Sequence, residues 1–365
     1  MKEKALIAMS GGVDSSVAAF LAKESGFDCA GVTLKLFDSE DLGKSREKSC
    51  CSLADTQDAR EAARKIGIPF FVYNFSEVFR ERVMRRFAQS YLAGLTPNPC
   101  IDCNRFVKWG ALLQRAELLD FRYIVTGHYA KIQKNGPEGR FLLKKGEDAE
   151  KDQSYVLYAM KQEELAHTLF PLGEMRKSET RALAEARGFS NARKKDSQDI
   201  CFVPGGDYGA FIENYTGRLC EKGPILNTKG EVLGEHRGAL RYTVGQRRGR
   251  GVSGAKPFYV TSTCVETNTV FLGEEGELYS KGLFARDINI IPFRRLDAPL
   301  RVRAKIRYRQ KEQWATVEQT GEDEFHLEFE EAQRAVTRGQ AVVLYDGDVV
   351  VGGGTIAGTL TGELV

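Results

Sequence analysis

The sequence predicts an α/β protein: an N-terminal unit with a parallel sheet, a small β-rich centre and a C-terminal β-barrel. Three observations carry this. Strand-like and helix-like stretches alternate over the first 200 residues, the signature of βαβ units. Glycines and short β-like runs fill residues 217–275. From Gly282 onward nearly every segment reads as a short strand, at the spacing of a small barrel or sandwich. The divisions fall at 1–204, 205–280 and 281–365, with the stretch Val203-Pro204-Gly205-Gly206-Asp207 as a linker.

Each element has its own signal. Lys4–Met9 is a short apolar run that ends in a glycine turn, followed by helical spacing through Ala22. Cys29–Phe37 is β-rich, and Ala54, Ala59, Ala62, Ala63 and Ile66 recur at helical intervals. Pro69–Tyr73 predicts a strand, Glu77–Leu95 a helix, Phe106–Leu119 another helix, and Tyr123–Thr126 a fourth strand ending at Gly127-His128. Asn135-Gly136 marks a hairpin, and two helical segments cover about 161–187. The C-terminal strands are expected at Phe284–Ile291, Leu300–Tyr308, Trp314–Glu318, Phe325–Phe329, Ala341–Tyr345 and Val349–Thr355.

Composition narrows the class. With 53 Lys+Arg against 50 Asp+Glu, the net charge of +3 excludes a wholly basic nucleic-acid binder but leaves room for a local basic face. A hydrophobic share of 42% is that of a globular chain, not a disordered one. No apolar run approaches the roughly 18 residues of a membrane span, and the start lacks a signal-peptide pattern. The expected location is therefore the cytoplasm, with no membrane partner. Eight cysteines in a reducing compartment read as reactive, metal-binding or buried thiols rather than as a disulfide framework.

Ser10-Gly11-Gly12-Val13-Asp14-Ser15-Ser16 lies between a strand and a helix. Two glycines let the backbone approach a ligand, and successive N–H groups with the helix N-terminus make an anion nest. There is no G-K-[ST], so it is not a Walker A loop. A plain strand-to-helix turn is the competing reading. The full S-G-G-V-D-S string resembles the PP-loop of ATP pyrophosphatases, which implies a Rossmann-like, adenine nucleotide alpha-hydrolase-like domain.

Two cysteine motifs follow. In Thr96-Pro97-Asn98-Pro99-Cys100-Ile101-Asp102-Cys103-Asn104-Arg105 the prolines argue for a loop. Cys103 is expected near the next helix's N-terminus, close to Arg105 and Lys108, and both features favour a thiolate. Cys201 stands in Asp196-Ser197-Gln198-Asp199-Ile200-Cys201-Phe202, after the basic stretch Arg193-Lys194-Lys195. For Cys29, Cys220 and Cys264 a small buried side chain is the better reading. A closed zinc site would need Cys201 plus Cys50 or Cys51 beside the C-x-x-C pair, which is the weaker alternative.

The PP-loop, N-P-x-x-x-C-N-R-x-x-K, T-G-H-Y, K-D-Q-S-Y and S-Q-D-I-C-F occur in one order, and in this combination the chain resembles the tRNA-specific 2-thiouridylases over essentially its whole length. The resemblance implies ATP binding by Ala8, Met9, Ser10, Gly11, Gly12, Val13, Asp14 and Ser15, with Leu34 and Gly127 beside the nucleotide. It implies that Asn98, Pro99 and Cys100 meet the target base, and that His128, Lys151, Asp152, Gln153, Tyr308, Arg309 and Gln340 contact tRNA. Cys201 would carry a persulfide, supplied by a cysteine desulfurase or sulfur-relay protein, and Cys103 would be its thiol partner. Neutralising the polyphosphate calls for Mg²⁺, with Asp14 or the phosphates as ligands. The family usually has Asp where this chain has Cys100. That departure raises a further expectation: Cys100, Cys103 and Cys201 as ligands of a [4Fe–4S] cluster.

One stretch points to RNA without the resemblance. In Arg301-Val302-Arg303-Ala304-Lys305-Ile306-Arg307-Tyr308-Arg309-Gln310-Lys311 every odd position is basic, which on a strand gathers six cations on one face. Tyr308 falls on the apolar parity, so packing rather than base stacking is expected of it. A second basic loop spans 241–250. The rivals are another PP-loop adenylating synthetase and a non-catalytic RNA-binding protein with a structural metal or Fe–S site.

Overall fold

The computed structural model describes residues 2–38, 53–196, 199–247 and 257–360. The N-terminal sheet has five parallel strands: β1 (Lys4–Ala8), β2 (Asp28–Lys35), β3 (Phe70–Asn74), β4 (Tyr123–Val125) and β7 (Thr168–Leu169), in the order β3-β2-β1-β4-β7. Four of these follow the expected runs. The two-residue edge strand β7 is too short to leave a pattern. Helix α1 (Val13–Glu24) packs its alanine-rich face with α2 (Leu53–Ile66) over the sheet, and Val17, Ala18, Ala19, Ala59 and Ala63 are fully buried. Small side chains there let helix and sheet backbones approach closely.

The structure corrects the reading of the proline-rich stretch. After a first helical run over residues 76–92, α3, residues 99–118 form a second, α4, wound in π-type turns over Cys103–Leu112. Asn98 caps it, its side-chain oxygen accepting the Cys100 N–H at 3.2 Å, and Pro99 takes the first helical position. Proline is suited to that position, because its missing N–H would have no partner there anyway. Cys100 and Cys103 therefore sit one turn apart on the same helix, not on a loop.

A second difference concerns residues 208–216. Asp207 caps a helix, Tyr208–Thr216, through the Ala210 N–H. Its Phe211 and Ile212 bury into an aromatic cluster of the N-terminal unit with Phe79, Phe87 and Phe202. The central sheet proper comprises β8 (Gly223–Asn227), β9 (Val232–His236), β10 (Tyr259–Cys264) and β11 (Thr269–Gly273).

The C-terminal strands, β12 (Tyr279–Ile290), β13 (Leu300–Lys305), β14 (Gln313–Gln319), β15 (Glu324–Arg334), β16 (Ala341–Asp346) and β17 (Val349–Thr359), close into a six-stranded barrel through β12–β17 pairing. The hairpin around Asn135-Gly136, β5 (Ala130–Gln133) and β6 (Leu142–Lys145), extends this barrel's sheet through Val349↔Lys144. The N-terminal unit is thus welded to the barrel by backbone pairing. Among the described residues no helix is long and apolar enough to cross a membrane.

Candidate functional site

The glycine loop lies at the C-terminal end of β1, where open α/β sheets bind ligands. Gly11 has φ +74°, and a side chain there would overlap the Asp55 carbonyl of α2. Gly12 differs: its φ is −86°, and the nearest atom to a side-chain carbon would be Ser10 Oγ at 3.5 Å. Among the described residues nothing requires glycine at that second position. Ser15 Oγ bonds the Gly12 carbonyl (3.0 Å) and accepts the Ser10 N–H (3.2 Å), which holds the loop's shape. Met9 pairs with β2 through its N–H, and Thr33 Oγ1 bonds its carbonyl at 2.6 Å. Gly127 backs the loop from β4, since a side-chain carbon there would lie 2.7 Å from the Asp14 backbone. The first N–H groups of α1 have no intrahelical acceptor and face this end of the sheet.

Charged groups crowd the loop. Lys177 Nζ, nearly buried at 8% exposure, reaches both Asp14 carboxylate oxygens at 2.7 Å and Asp196 Oδ1 at 2.8 Å. Tyr129 donates to Asp14 (2.9 Å), and Lys151 and Arg181 complete the ring around Asp196 at 2.9 and 3.1 Å. Burial pushes the Asp196 carboxyl up, but hydrogen bonds from Lys177 and Lys151 outweigh it and hold the group at about 2. Lys194 bridges Asp55, Asp58 and the Gly11 carbonyl at 2.5, 2.6 and 3.3 Å. The basic stretch before Cys201 thus serves in part to tie α2 to the glycine loop. Lys177, Asp196, Tyr129 and Lys194 had no assigned role in the sequence reading. Asp196 heads the Cys201 motif, Lys194 lies in the basic stretch before it and Tyr129 ends T-G-H-Y, whereas Lys177 stands in no quoted string.

Cys103 and Cys201 both pack against the aromatic cluster of Phe37, Phe79, Phe87, Phe202 and Phe211, as does Leu34 from the end of β2. Phe202, 1% exposed, sits edge-on to Phe79, Phe87 and Phe211 with centroids 5.1–5.5 Å apart and so pins the residue next to Cys201. Cys100, by contrast, is exposed at the start of α4. The cations expected near Cys103 have other engagements: Arg105 with Asp287 at 2.5 Å, and Lys108 with His128 Nε2 at 3.3 Å. Among the described residues no three His, Cys, Asp or Glu side chains gather as a metal-holding group. A cluster on Cys100, Cys103 and Cys201 does not fit this arrangement, because the three are not gathered as one metal-holding group: Cys103 and Cys201 belong to the apolar cluster, and the exposed Cys100 does not. Nor is a protein-only Mg²⁺ site assembled, since Asp14 is engaged by Lys177; a divalent ion fits here as a companion of phosphates. Cys29 is buried as expected, while Cys220 and Cys264 are half-buried. Cys50 and Cys51 lie outside the described residues.

The remaining predicted positions divide into two groups. The first converges. Gln340 donates to the Thr96 carbonyl at 2.7 Å, beside Asn98. Tyr308 donates to the Asp152 carbonyl at 3.0 Å and lies edge-on to Tyr155, yet at 36% exposure it stays on the surface: β13 ends at Lys305, so the strand parity that assigned it to packing does not reach it. Its phenol is raised by burial and then by the charges of Asp152 and Cys100, which places Cys100 near the barrel. Arg309 is exposed beside it. Asn98, Pro99, Cys100, Tyr308, Arg309 and Gln340 thus gather between α4 and the barrel, with Pro99 and Gln340 buried and Cys100, Tyr308 and Arg309 exposed.

The second group has internal engagements. His128, 8% exposed, bonds Thr126 Oγ1 at 2.6 Å and lies between Trp109 and Phe170. Burial, and then the Lys108 charge, hold it neutral, well below the ordinary range. The Asp152 carboxylate caps the turn Ser154–Leu157, and Gln153 Oε1 accepts the Tyr129 N–H.

The basic strand is also shorter than its charge pattern. β13 ends at Lys305, so only Arg301, Arg303 and Lys305 share its outer face. Arg301 pairs with Glu330 on the barrel's outer face at 2.8 Å, an acid from β15 that the single-strand pattern could not reveal. Arg303 and Arg301 stack on Trp314, 4.7 and 3.9 Å from the ring centre, and Arg307 bonds Thr337 at 2.5 Å. In the second basic loop Arg241 is tied to Asp207 and Glu213, while residues 248–250 lie outside the described residues.

Comparison with known proteins agrees with this geometry. Residues 3–205 match the family described as tRNA methyl transferase HUP domain, 209–274 the tRNA methyl transferase PRC-barrel domain, and 280–356 the aminomethyltransferase beta-barrel domain. The chain is 48% identical over 360 residues to a tRNA-specific 2-thiouridylase MnmA of Clostridioides difficile, covering 99% of each chain. It is 50% identical over 358 residues to that of Symbiobacterium thermophilum, covering 97% of this chain and 92% of the relative. At such identity over nearly the full length, the chain belongs to the tRNA-specific 2-thiouridylase family.

Proposed function

We propose that this protein uses ATP to replace the C2 oxygen of the wobble uridine of tRNA with sulfur. The observation that carries the proposal is the packing of Cys103, Cys201 and Leu34 on one aromatic cluster at the end of the sheet that bears the glycine loop. A methyl transferase, as the domain descriptions would have it, needs neither this loop nor a pair of thiols.

A uracil carbonyl oxygen is a poor leaving group. Attack of that oxygen on the α-phosphorus of ATP releases pyrophosphate and leaves an O-adenylate, from which AMP departs readily. The terminal sulfur of a Cys201 persulfide attacks C2 as AMP leaves. Cys103 thiolate then attacks Cys201 Sγ, which forms a Cys103–Cys201 disulfide and frees the thiocarbonyl. Prior release of hydrosulfide by Cys103 is the alternative order. A sulfur donor renews the persulfide, and an external thiol reduces the disulfide. Mg²⁺ bound with the phosphates would neutralise their charge, with Asp14 the nearest carboxylate. The surface bordered by Asn98, Cys100, Tyr308, Arg309 and Gln340 is the proposed seat of the anticodon arm, and the flipped base is expected to enter between α4 and the barrel. In this reading 1–204 forms the catalytic unit, and 205–280 and 281–365 form the units that grip tRNA.

The test is nucleoside mass spectrometry of unmodified tRNA incubated with enzyme, ATP and a sulfur source. Wild type is expected to yield 2-thiouridine. Cys103→Ser and Cys201→Ser are each expected to yield none while tRNA-dependent pyrophosphate release continues. Wild-type thiolation rates in either variant would refute the two-thiol scheme.

A further inference from the structure

The strap of residues 95–97, which leads from α3 to α4, is held from the barrel. Thr96 donates its N–H to the Arg338 carbonyl at 2.9 Å. Gln340 returns the contact: its Nε2 donates to the Thr96 carbonyl at 2.7 Å and to the Pro97 carbonyl at 3.5 Å. Gly339 lies close against the same strap, with φ +85°, and a side-chain carbon there would fall 2.8 Å from both Leu95 Cβ and the Thr96 nitrogen. Proline at 97 and 99 removes two N–H groups from this stretch, so little inside it can fix its own shape. Each end of the joint is braced. On the barrel side the Gly339 N–H donates to the Ile356 carbonyl at 2.9 Å, the Ile356 N–H donates to the Gln340 carbonyl at 2.8 Å, and Arg307 donates to Thr337 Oγ1 at 2.5 Å. On the other side Asn98 follows the strap directly and caps α4 through the Cys100 N–H.

We infer that Gln340 is a positioning residue: it fixes the start of α4 against the barrel and so sets the gap into which the target base enters, without itself touching tRNA. The side chain is 9% exposed, and both N–H bonds of its amide face main-chain carbonyls, which leaves no donor for a phosphate or a base edge. The two walls of the gap come from different units, Asn98 and Cys100 from the start of α4, Tyr308 and Arg309 from the barrel. Gln340 ties one wall to the other. Affinity for tRNA rests chiefly on phosphate contacts spread over the surface. The chemical step instead depends on a base held within about an ångström of its place. Loosening the strap therefore slows turnover and leaves tRNA binding as it was. This role replaces the tRNA contact that the family resemblance implies for Gln340, and it rests on the proposed thiolation only for the activity that it alters.

The experiment pairs steady-state thiolation kinetics with hydrogen–deuterium exchange read by peptide mass spectrometry. Gln340→Glu keeps the side chain's shape but offers no N–H to the two carbonyls, and Gln340→Ala removes the group. In both, kcat is expected to fall at least tenfold with KM for tRNA within twofold of wild type. Amides of residues 95–104 are expected to exchange at least tenfold faster, while those of β13 and β14 keep their wild-type rates. Gly339→Ala pushes on the strap from the neighbouring residue of the turn and is expected to give the same pattern, which covers the case of the Gln340 variants failing to fold. A folded Gln340 variant with unchanged kcat overturns the inference, and a tenfold rise of its KM for tRNA would make Gln340 a direct contact. Wild-type exchange over residues 95–104 in such a variant overturns it equally. If the wild-type protein makes no 2-thiouridine, the proposed function fails instead, and the exchange rates alone decide whether Gln340 holds the strap.

Discussion

The two loop glycines make opposite demands, and alanine at each separates folding from ligand binding. At Gly11, alanine would carry φ +74° and collide with the Asp55 backbone carbonyl, which cannot swing aside. The left-handed conformation costs roughly 1–2 kcal/mol and the overlap roughly 1–3 more, so Gly11→Ala is expected to lose about 2–5 kcal/mol of stability. At Gly12, alanine meets only Ser10 Oγ at 3.5 Å and has an ordinary φ. The entropy removed from the unfolded chain, roughly 0.4–1 kcal/mol, is about offset by alanine's poorer showing at a helix N-cap. Stability should therefore stay within about 1 kcal/mol of wild type. The added methyl, however, points into the space that the phosphates are proposed to fill. Losing one charge-assisted hydrogen bond there, worth about 1.5–3 kcal/mol, weakens nucleotide binding roughly ten- to hundredfold. Urea unfolding reads the first quantity, and calorimetric titration with a non-hydrolysable ATP analogue reads the second. A Gly12→Ala protein that binds nucleotide within twofold of wild type would refute the reasoning.

Two further outcomes follow from the geometry. Arg303 is exposed on the barrel and stacked on Trp314, whereas Arg307 is half-buried on Thr337. Arg303→Ala is expected to lower the slope of log tRNA affinity against log salt by about 1, with folding intact, and Arg307→Ala is expected to lower the unfolding midpoint; an unchanged slope for Arg303→Ala would remove that face from the tRNA surface. His128 is held neutral in the fold, so the unfolded chain takes up its proton more readily, near pH 6.5. The contribution is complete above that pH and is lost as pH falls below it, at up to about 1.4 kcal/mol per pH unit. His236, also lowered by burial, adds in the same direction. Urea midpoints at pH 7, 6 and 5 should fall less steeply in His128→Gln, and an identical slope would show that His128 is not the titrating group.

Wherever a feature depends on the periodicity of neighbouring residues, the sequence alone determined it. β1 follows from a continuous apolar run buried on both faces, while α1, the alanine face of α2 and the barrel strands follow from burial on one face of a helix or strand, which spaces apolar residues at 3.6 or 2. The motifs carrying Cys103 and Cys201 were likewise visible as strings. Where an outcome depended on residues far apart in the chain, only the tertiary structure decided it. The charge alternation through Lys311 did not reveal where β13 ends, because the turn after Lys305 is set by packing against the rest of the barrel. Glu330 answers Arg301 from β15, two strands away in the sheet, and Lys177 meets Asp14 across 163 positions. A lysine in a sequence looks the same whether water or two carboxylates surround it. Its Coulomb energy depends on distances that folding sets, so the ion bridge beside the glycine loop exists only in three dimensions.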